Sequence, residues 1–233
     1  MSITRKLIKS LKADWVRLRS HRAQPKNWDR QELAWPFHTM FHPFAGISDI
    51  KYEGRGSVRV SLGILLAYFV TSILRFFYTG FIFNMSNIDE FNLLTQMLSS
   101  VLLVVLWSVS NWSVSTLMDG EGKFRDIWIV SSYAVLPKII TDVIVLILSQ
   151  FMVHSENIFL VTIDAVGALW TVALLVIGML IVHQYSMSKT LLCCLVTVLG
   201  ILAILFIVIL FISIVQQMVG FVQTVTLEIL NRS

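Results

Sequence analysis

Four ionisable residues lie within or at the edges of long apolar stretches of this chain: Arg75, Lys138, Asp142 and Asp164. A charge at the bilayer centre costs about 2.5–3.5 kcal/mol on insertion scales, so such residues usually face a bundle interior and pair. Lys138 and Asp142 are four residues apart and share one helix face. We expect Arg75 to reach one of the carboxylates and tie helices together.

Two interpretations of this charged set stay open. It is either an ion or proton path, or a buried salt-bridge network that sets helix register. The chain has no convincing internal repeat and no pair of interrupted helices, two features typical of many transporters. Their absence favours the salt-bridge network.

Other reactive side chains give weaker signals. His38 and His42 are four residues apart but are flanked by Pro36 and Pro43, so we interpret them as hydrogen-bonding loop residues and predict no metal site. The adjacent Cys193 and Cys194 lie inside an apolar run, which indicates small packing residues; palmitoylation is the alternative.

No catalytic motif accompanies these residues. The connection Asp119–Asp126 contains two glycines without a preceding strand, so its spacing does not favour a phosphate loop. Asp142 and Asp164 lack the glycine-rich context of intramembrane aspartyl proteases, and no serine-hydrolase or zinc-protease motif is present. The sequence therefore predicts no enzyme activity and no cofactor.

Composition identifies the class of protein. Hydrophobic residues make up 56% of 233 positions and charged residues 14%, which is too apolar for a single water-soluble core. Of the 18 Lys and Arg, 12 lie between Arg5 and Arg59. Because this basic segment adjoins apolar spans, it indicates a membrane surface and topology rather than nucleic-acid binding.

Five apolar runs are long enough to cross a ~30 Å hydrocarbon layer as helices of about 20 residues. Backbone groups in lipid must be paired internally, and the alternation of a β-barrel is absent, so the fold class is an all-α, polytopic membrane helix bundle. The predicted transmembrane helices are Val60–Phe81, Leu93–Leu117, Ile127–Phe151, Ile163–Val182 and Leu191–Val215.

The distribution of cations predicts the topology. With the N-terminus cytoplasmic, the inner segments carry 15 Lys and Arg and the outer ones carry 1, apart from the two intramembrane cations. Five spans then place the C-terminus outside. We therefore divide the chain into a cytoplasmic segment over 1–58, a five-helix domain over 59–216 and an outer-face tail over 217–233. The charge pattern is that of an integral, multi-pass membrane protein.

The cytoplasmic segment has two parts. Apolar and basic residues alternate at helical spacing up to Pro25, which predicts a basic amphipathic helix on anionic lipid. Packing on the protein's own loops or on a partner is the alternative. The residues expected at the membrane surface are Lys6, Lys9, Lys12 and Trp15. Residues Gln24–Ser57 hold three of four prolines and many aromatics, so we predict an ordered aromatic loop with short elements.

Proline also interrupts the third span. Pro137 has no amide hydrogen, so it removes a helical hydrogen bond near the middle of the predicted helix. We expect a kink or a break there. A break would make the first half an interfacial or re-entrant helix and place Lys138 near the inner face.

Three motifs resemble the Yip1 family of multispanning membrane proteins, especially its bacterial branch. They are His42–Ser57 (HPFAGISDIKYEGRGS), Asp119–Trp128 (DGEGKFRDIW) and Tyr133–Pro137 (YAVLP). The resemblance covers roughly residues 40 to 215 and implies five spans with a cytosolic N-terminus. Its bacterial branch further implies location in a bacterial cytoplasmic membrane. Eukaryotic members carry Gly-Tyr-x-x-x-Pro, but Ser132 stands at the glycine position here, so their binding of small GTPases is not carried over.

These observations predict a non-enzymatic membrane adaptor or accessory subunit. Its inner-side motifs would dock other membrane-complex subunits or a cytoplasmic protein, in contact with membrane lipids and without nucleic acid. A transporter or channel component that uses the charged set is the alternative, and a lipid-organising protein is a weaker one. The expected partner-binding residues are His42, Pro43, Phe44, Asp49, Tyr52, Arg55, Asp119, Tyr133 and Pro137.

Overall fold

The computed structural model describes residues 28–83 and 91–232, and this part of the chain is helical and contains no strand. The helices are α1 (Trp28–Phe41), α2 (Pro43–Tyr52), α3 (Val58–Tyr78), α4 (Leu93–Leu117), α5 (Phe124–Ala134), α6 (Leu136–Leu148), α7 (Asn157–His183) and α8 (Met187–Arg232). A π-helical turn, Leu98–Leu102, lies within α4, and a short 3₁₀ turn, His154–Glu156, precedes α7.

Five segments of the described chain are long and apolar enough to span a membrane, as predicted. They are Val58–Tyr78, Leu93–Leu117, Phe124–Leu148, His154–His183 and Met187–Glu228. The last two extend well beyond the predicted bounds because helical hydrogen bonding continues through polar residues that a hydropathy argument excludes. The protein is therefore an all-α, multi-pass integral membrane protein.

The aromatic segment before the first span differs from the prediction. An ordered aromatic loop with short elements was expected over 24–57, but most of the described part is helical, in α1 and α2. α1 continues through Pro36, and Pro43 occupies the first turn of α2, where its missing amide hydrogen is not needed. The helix does break at His42, as the prolines indicated.

The third span is interrupted where proline predicted it. α5 ends at Ala134 and α6 begins at Leu136, with Pro137 in the first turn of α6. Val135 joins them with φ −79° and ψ −13°, and the Val135 amide donates to the Ser132 carbonyl at 3.3 Å. This span is also the most buried, which makes α5 and α6 the centre of the bundle.

The helices of the described chain pack around four apolar cores. One core joins α2, α3, α5 and α7 through Ile47, Ile64, Ile129 and Val182. In another core, Leu65 of α3 and Val104 of α4 pack against Val135. The C-terminal half of α8 is largely exposed. The predicted amphipathic helix with Lys6, Lys9, Lys12 and Trp15 lies outside the described residues.

Candidate functional site: a docked cassette and an intramembrane charge network

The segment His42–Ser57, here called the cassette, is anchored on the helix bundle by apolar side chains. Ile47 and Ile50 are almost fully buried in the core formed with α5 and α7. Gly56 is equally constrained, because an added Cβ would lie 2.7 Å from Ile129 Cγ2 and 3.0 Å from Ile50 Cγ2. The glycine therefore permits α5 to pass directly against the cassette backbone.

Hydrogen bonds fix the end of the cassette to α5. Arg125 Nη2 donates to the Gly56 carbonyl at 3.0 Å, and the Ser57 amide donates to the Tyr133 hydroxyl at 3.2 Å. Both partners on α5 are reached within two consecutive cassette residues. The motifs His42–Ser57 and Tyr133–Pro137, far apart in sequence, thus meet in the structure.

A second set of contacts ties the cassette to α7 and the α4–α5 connection. Lys51 Nζ donates to the Ile181 carbonyl at 3.4 Å and lies 3.7 Å from Glu121. Gln184 donates to the Tyr52 hydroxyl at 2.8 Å. We call the end of the bundle formed by Tyr52–Ser57, Asp119–Lys123 and Gln184 the cassette end.

Exposed polar side chains cover the cassette end. Tyr52 is 65% exposed, and Glu53, Glu121 and Arg125 are also exposed. Arg55 lies over the Trp35 ring at 5.0 Å and pairs with Glu53 at 2.6 Å. These groups form a surface of mixed charge on a backbone that is held in place by α5 and α7.

The expected partner-binding residues separate into three groups. Tyr52, Arg55 and Asp119 lie exposed at the cassette end, and the half-buried Asp49 lies beside it, 3.9 Å from Arg55. His42, Pro43 and Phe44 lie at the opposite tip of α2, beside the turn from α1. Tyr133 and Pro137 are buried, so they support the surface from below and present no face to a partner.

The four charged residues Arg75, Lys138, Asp142 and Asp164 come together as one network between α3, α6 and α7. Arg75 and Lys138 each pair with Oδ1 of both carboxylates; the distances to Asp164 are 2.7 and 2.8 Å, and both cations also bond Asp142. Two positive and two negative charges therefore balance inside the span region. Asp142 is 3% exposed, whereas the Asp164 side chain is 36% exposed.

A cavity of about 500 Å³ adjoins this network. Besides Arg75, Lys138 and Asp142, polar groups of α3 and α4 line it, among them Ser72, Gln96 and, in the π-helical turn, Ser100. Gln96 donates to the Ser72 carbonyl at 2.9 Å and bridges the two helices. The arrangement could hold water or a small polar solute next to paired charges.

Sequence reasoning missed a second buried polar group. His183 Nε2 lies 2.8 Å from Asn111 Oδ1, and the Gly122 amide donates to His183 Nδ1 at 3.3 Å. Since Nδ1 accepts, Nε2 carries the proton and donates to the amide oxygen. The Asn111 and His183 side chains are at most 2% exposed. The sequence feature that could have indicated this contact is the presence of one polar residue in each of two apolar runs.

Tyr185, in the link between α7 and α8, packs beside the His183–Asn111 pair. Burial, together with the neighbouring Cys193, raises the pKa of the Tyr185 hydroxyl to about 12. Its ring stacks on His183, with 5.2 Å between the centroids. Among the residues that the structure describes, no three His, Cys, Asp or Glu side chains are grouped to hold a metal ion.

Comparison with known proteins gives one match. A family model of the Yip1 domain matches residues 37–222, which is more than half of the chain. Searches of curated proteins and of solved structures found no match. The matched range includes the cassette, the charge network and the described transmembrane spans apart from the end of the last.

Proposed function

Because the chain belongs to the Yip1 family of multispanning membrane proteins, we propose that it is a non-enzymatic membrane adaptor that docks a protein partner at the cassette end. One observation carries this proposal. The cassette backbone is held by α5 and α7, yet Tyr52, Glu53 and Arg55 project from it. A surface that is already ordered loses little conformational entropy when a partner binds.

The charge on this surface favours a polar or mixed-charge partner. Glu53 pairs with Arg55 at 2.6 Å and Glu121 lies 3.7 Å from Lys51, so acidic and basic groups are interspersed. Complementary charge would orient a partner and accelerate its association. We place the cassette end on the cytoplasmic side of the membrane, because the inner segments carry 15 of the 18 Lys and Arg.

Recovery of partners from native membranes tests the docking role. The test variant carries Tyr52→Ala, Glu53→Ala and Glu121→Ala, and the matched control carries His154→Ala, Ser155→Ala and Asn157→Ala, three exposed positions near the start of α7. Proteins bound to wild type and control, identified by mass spectrometry, should be lost from the test variant. Equal recovery by all three would refute docking at the cassette end.

A second candidate function rests on the cavity beside the charge network. Paired charges next to a polar cavity of about 500 Å³ are compatible with passage of a small polar solute or a proton. Next to Tyr68, however, the apolar side chains of Leu65, Val104 and Val135 pack together and close the cavity on that side. Transport past them would require α3 and α4 to separate from the α5–α6 junction.

Flux in reconstituted liposomes separates the two functions. A transporter should move a proton or a small solute, and neutralising Lys138 and Asp142 together should abolish that flux. If the neutralised protein conducts like wild type, the hypothesis that the charge network carries transport is refuted. The partner recovery described above would be unchanged by the same variant, because the network does not contribute to the cassette end.

A further inference from the structure

The helices α1 and α2 pack along transmembrane helices rather than on the end of the bundle. Trp35 of α1 contacts the Arg55 guanidinium, and Gly46 of α2 fits against Thr39, so the two helices run antiparallel. The turn between them is at His42. One end of this pair lies at the cassette end, and the depth of the other end follows from its contacts with α7.

Contacts with α7 measure that depth. Near the cassette end, Tyr52 bonds Gln184. Near the turn, Met40 packs with Leu174, and the Phe41 ring lies 6.0 Å from the Trp170 ring. Leu174 and Trp170 lie nine and thirteen residues before His183, which at 1.5 Å per residue is about 14 and 20 Å along the helix. This reaches the middle of a ~30 Å hydrocarbon layer.

The lengths of the two helices agree with this depth. The 14 residues of α1 and the 10 residues of α2 correspond to about 21 and 15 Å. The turn also suits lipid, where backbone groups must be paired. The His42 amide donates to the His38 carbonyl at 2.8 Å, the Gly46 amide donates to the His42 carbonyl at 2.8 Å, and Pro43 has no amide hydrogen.

The face of α1 that turns away from the bundle is apolar. Leu33, Phe37 and Phe41 follow one another at intervals of four residues and are 65%, 50% and 62% exposed. Phe44, at the start of α2, extends the stripe. Through Phe41 and Trp170, the stripe is continuous with the exposed apolar surface of α7, which faces lipid because α7 spans the membrane.

We propose that α1 and α2 form a re-entrant helix pair, which enters the membrane from the cassette end, turns at His42 near mid-bilayer, and packs the stripe Leu33–Phe37–Phe41 against acyl chains. The cassette is then divided by depth. His42, Pro43 and Phe44 contact lipid, and only the part from Asp49 onward meets the aqueous phase. This does not depend on the adaptor role.

Depth measurement by electron paramagnetic resonance tests the proposal. Spin labels are placed singly at Phe41→Cys, Trp170→Cys and Glu53→Cys in a Cys193→Ala, Cys194→Ala background, reconstituted in phosphatidylethanolamine and phosphatidylglycerol liposomes. Power saturation compares the accessibility of each label to oxygen, which concentrates in the bilayer, with that to the water-soluble NiEDDA. The ratio of oxygen to NiEDDA accessibility should be several-fold higher at Phe41 than at Glu53, and similar at Phe41 and Trp170.

Two results would overturn the proposal. A Phe41 label as accessible to NiEDDA as the Glu53 label would place the turn in water. A label shielded from both reagents would mean that a protein surface, such as a second copy of this chain, covers the stripe instead of lipid. If Phe41→Cys does not fold, labels at the exposed Leu33 and Phe37 replace it, and the oxygen to NiEDDA ratio should rise from Leu33 to Phe37.

Discussion

The cassette end and the charge network both join helices that are distant in sequence, but different forces hold them. At the cassette end, Ile47, Ile50 and Ile129 bury apolar surface, and hydrogen bonds to α5 fix the backbone. In the network, Arg75 and Lys138 are held almost entirely by two carboxylates. The first arrangement tolerates loss of a single contact, whereas the second leaves an unpaired charge when one partner is removed.

Asp142→Asn should cause the largest loss of stability. It leaves two half-buried cations with Asp164 as their remaining carboxylate. Breaking one side of a fully buried ion pair costs about 3–5 kcal/mol. Because the cations are partly exposed, we expect the free energy of unfolding in lipid nanodiscs, followed by tryptophan fluorescence, to fall by about 3 kcal/mol, the lower end of that range. Asp164→Asn should cost less, because the Asp164 side chain is 36% exposed.

A charge-free replacement sharpens this prediction. Lys138→Met with Asp142→Leu removes one cation and one anion, so Arg75 keeps Asp164 and the local charge stays balanced. Buried ion pairs replaced by apolar residues are often neutral for stability. The double variant should therefore be more stable than Asp142→Asn alone. If it is less stable, specific hydrogen bonding rather than charge balance holds α3, α6 and α7 together.

Gly56→Ala is the corresponding change at the cassette end. The new Cβ would lie 2.7 Å from Ile129 Cγ2, so α5 and the cassette must separate, and overpacking of this kind costs about 1–3 kcal/mol. Gly63→Ala in α3 is the control, since no atom lies within 4 Å of its added Cβ. Equal thermal stability of the two variants would show that the cassette is not packed tightly on α5.

The same contrast explains what could be predicted from sequence. A bilayer requires long apolar helices, so the five spans could be predicted from the apolar runs. It also requires charges to be paired, so the network could be predicted from charged residues within those runs, such as Arg75 and Lys138. Pro137 likewise predicts the break at Val135. These features follow from the solvent and the backbone alone, and no knowledge of which helices are neighbours is needed.

Other features depend on tertiary neighbours. The prolines at positions 36 and 43 suggested a loop, but helix packing against Leu174 and Ile129 stabilises α1 and α2 despite low intrinsic preference. Tyr133 looked like a surface motif residue and is 1% exposed. His183 carried no recognised pattern, because its partner Asn111 is 72 residues away in the sequence.

Asn111→Leu tests the buried polar contact near the cassette end. The change removes the acceptor for His183 Nε2 and leaves a buried donor unsatisfied, which costs about 1–3 kcal/mol. His183→Phe combined with Asn111→Leu removes both partners and should recover part of that loss. Thermal unfolding in nanodiscs measures both. A double variant less stable than Asn111→Leu would indicate that His183 contributes mainly through packing and its Gly122 contact.

Tyr133→Phe should have the smallest effect, because it removes one neutral hydrogen bond and keeps the buried ring. The Ser57 amide loses an acceptor at 3.2 Å, and the net cost of such a bond is about 0.5–1.5 kcal/mol. Tyr68→Phe is a suitable control, because the Tyr68 ring packs beside the core of Leu65 and Val104, away from the cassette.

Hydrogen exchange of the cassette backbone adds a local measurement, in which Tyr133→Phe should speed exchange around Ser57 and Tyr68→Phe should not. Unchanged exchange at Ser57 would mean that Arg125 and the isoleucine packing hold the cassette without Tyr133. The two regions would then differ still more, because the network depends on each charged partner, whereas the cassette depends on apolar burial and Arg125.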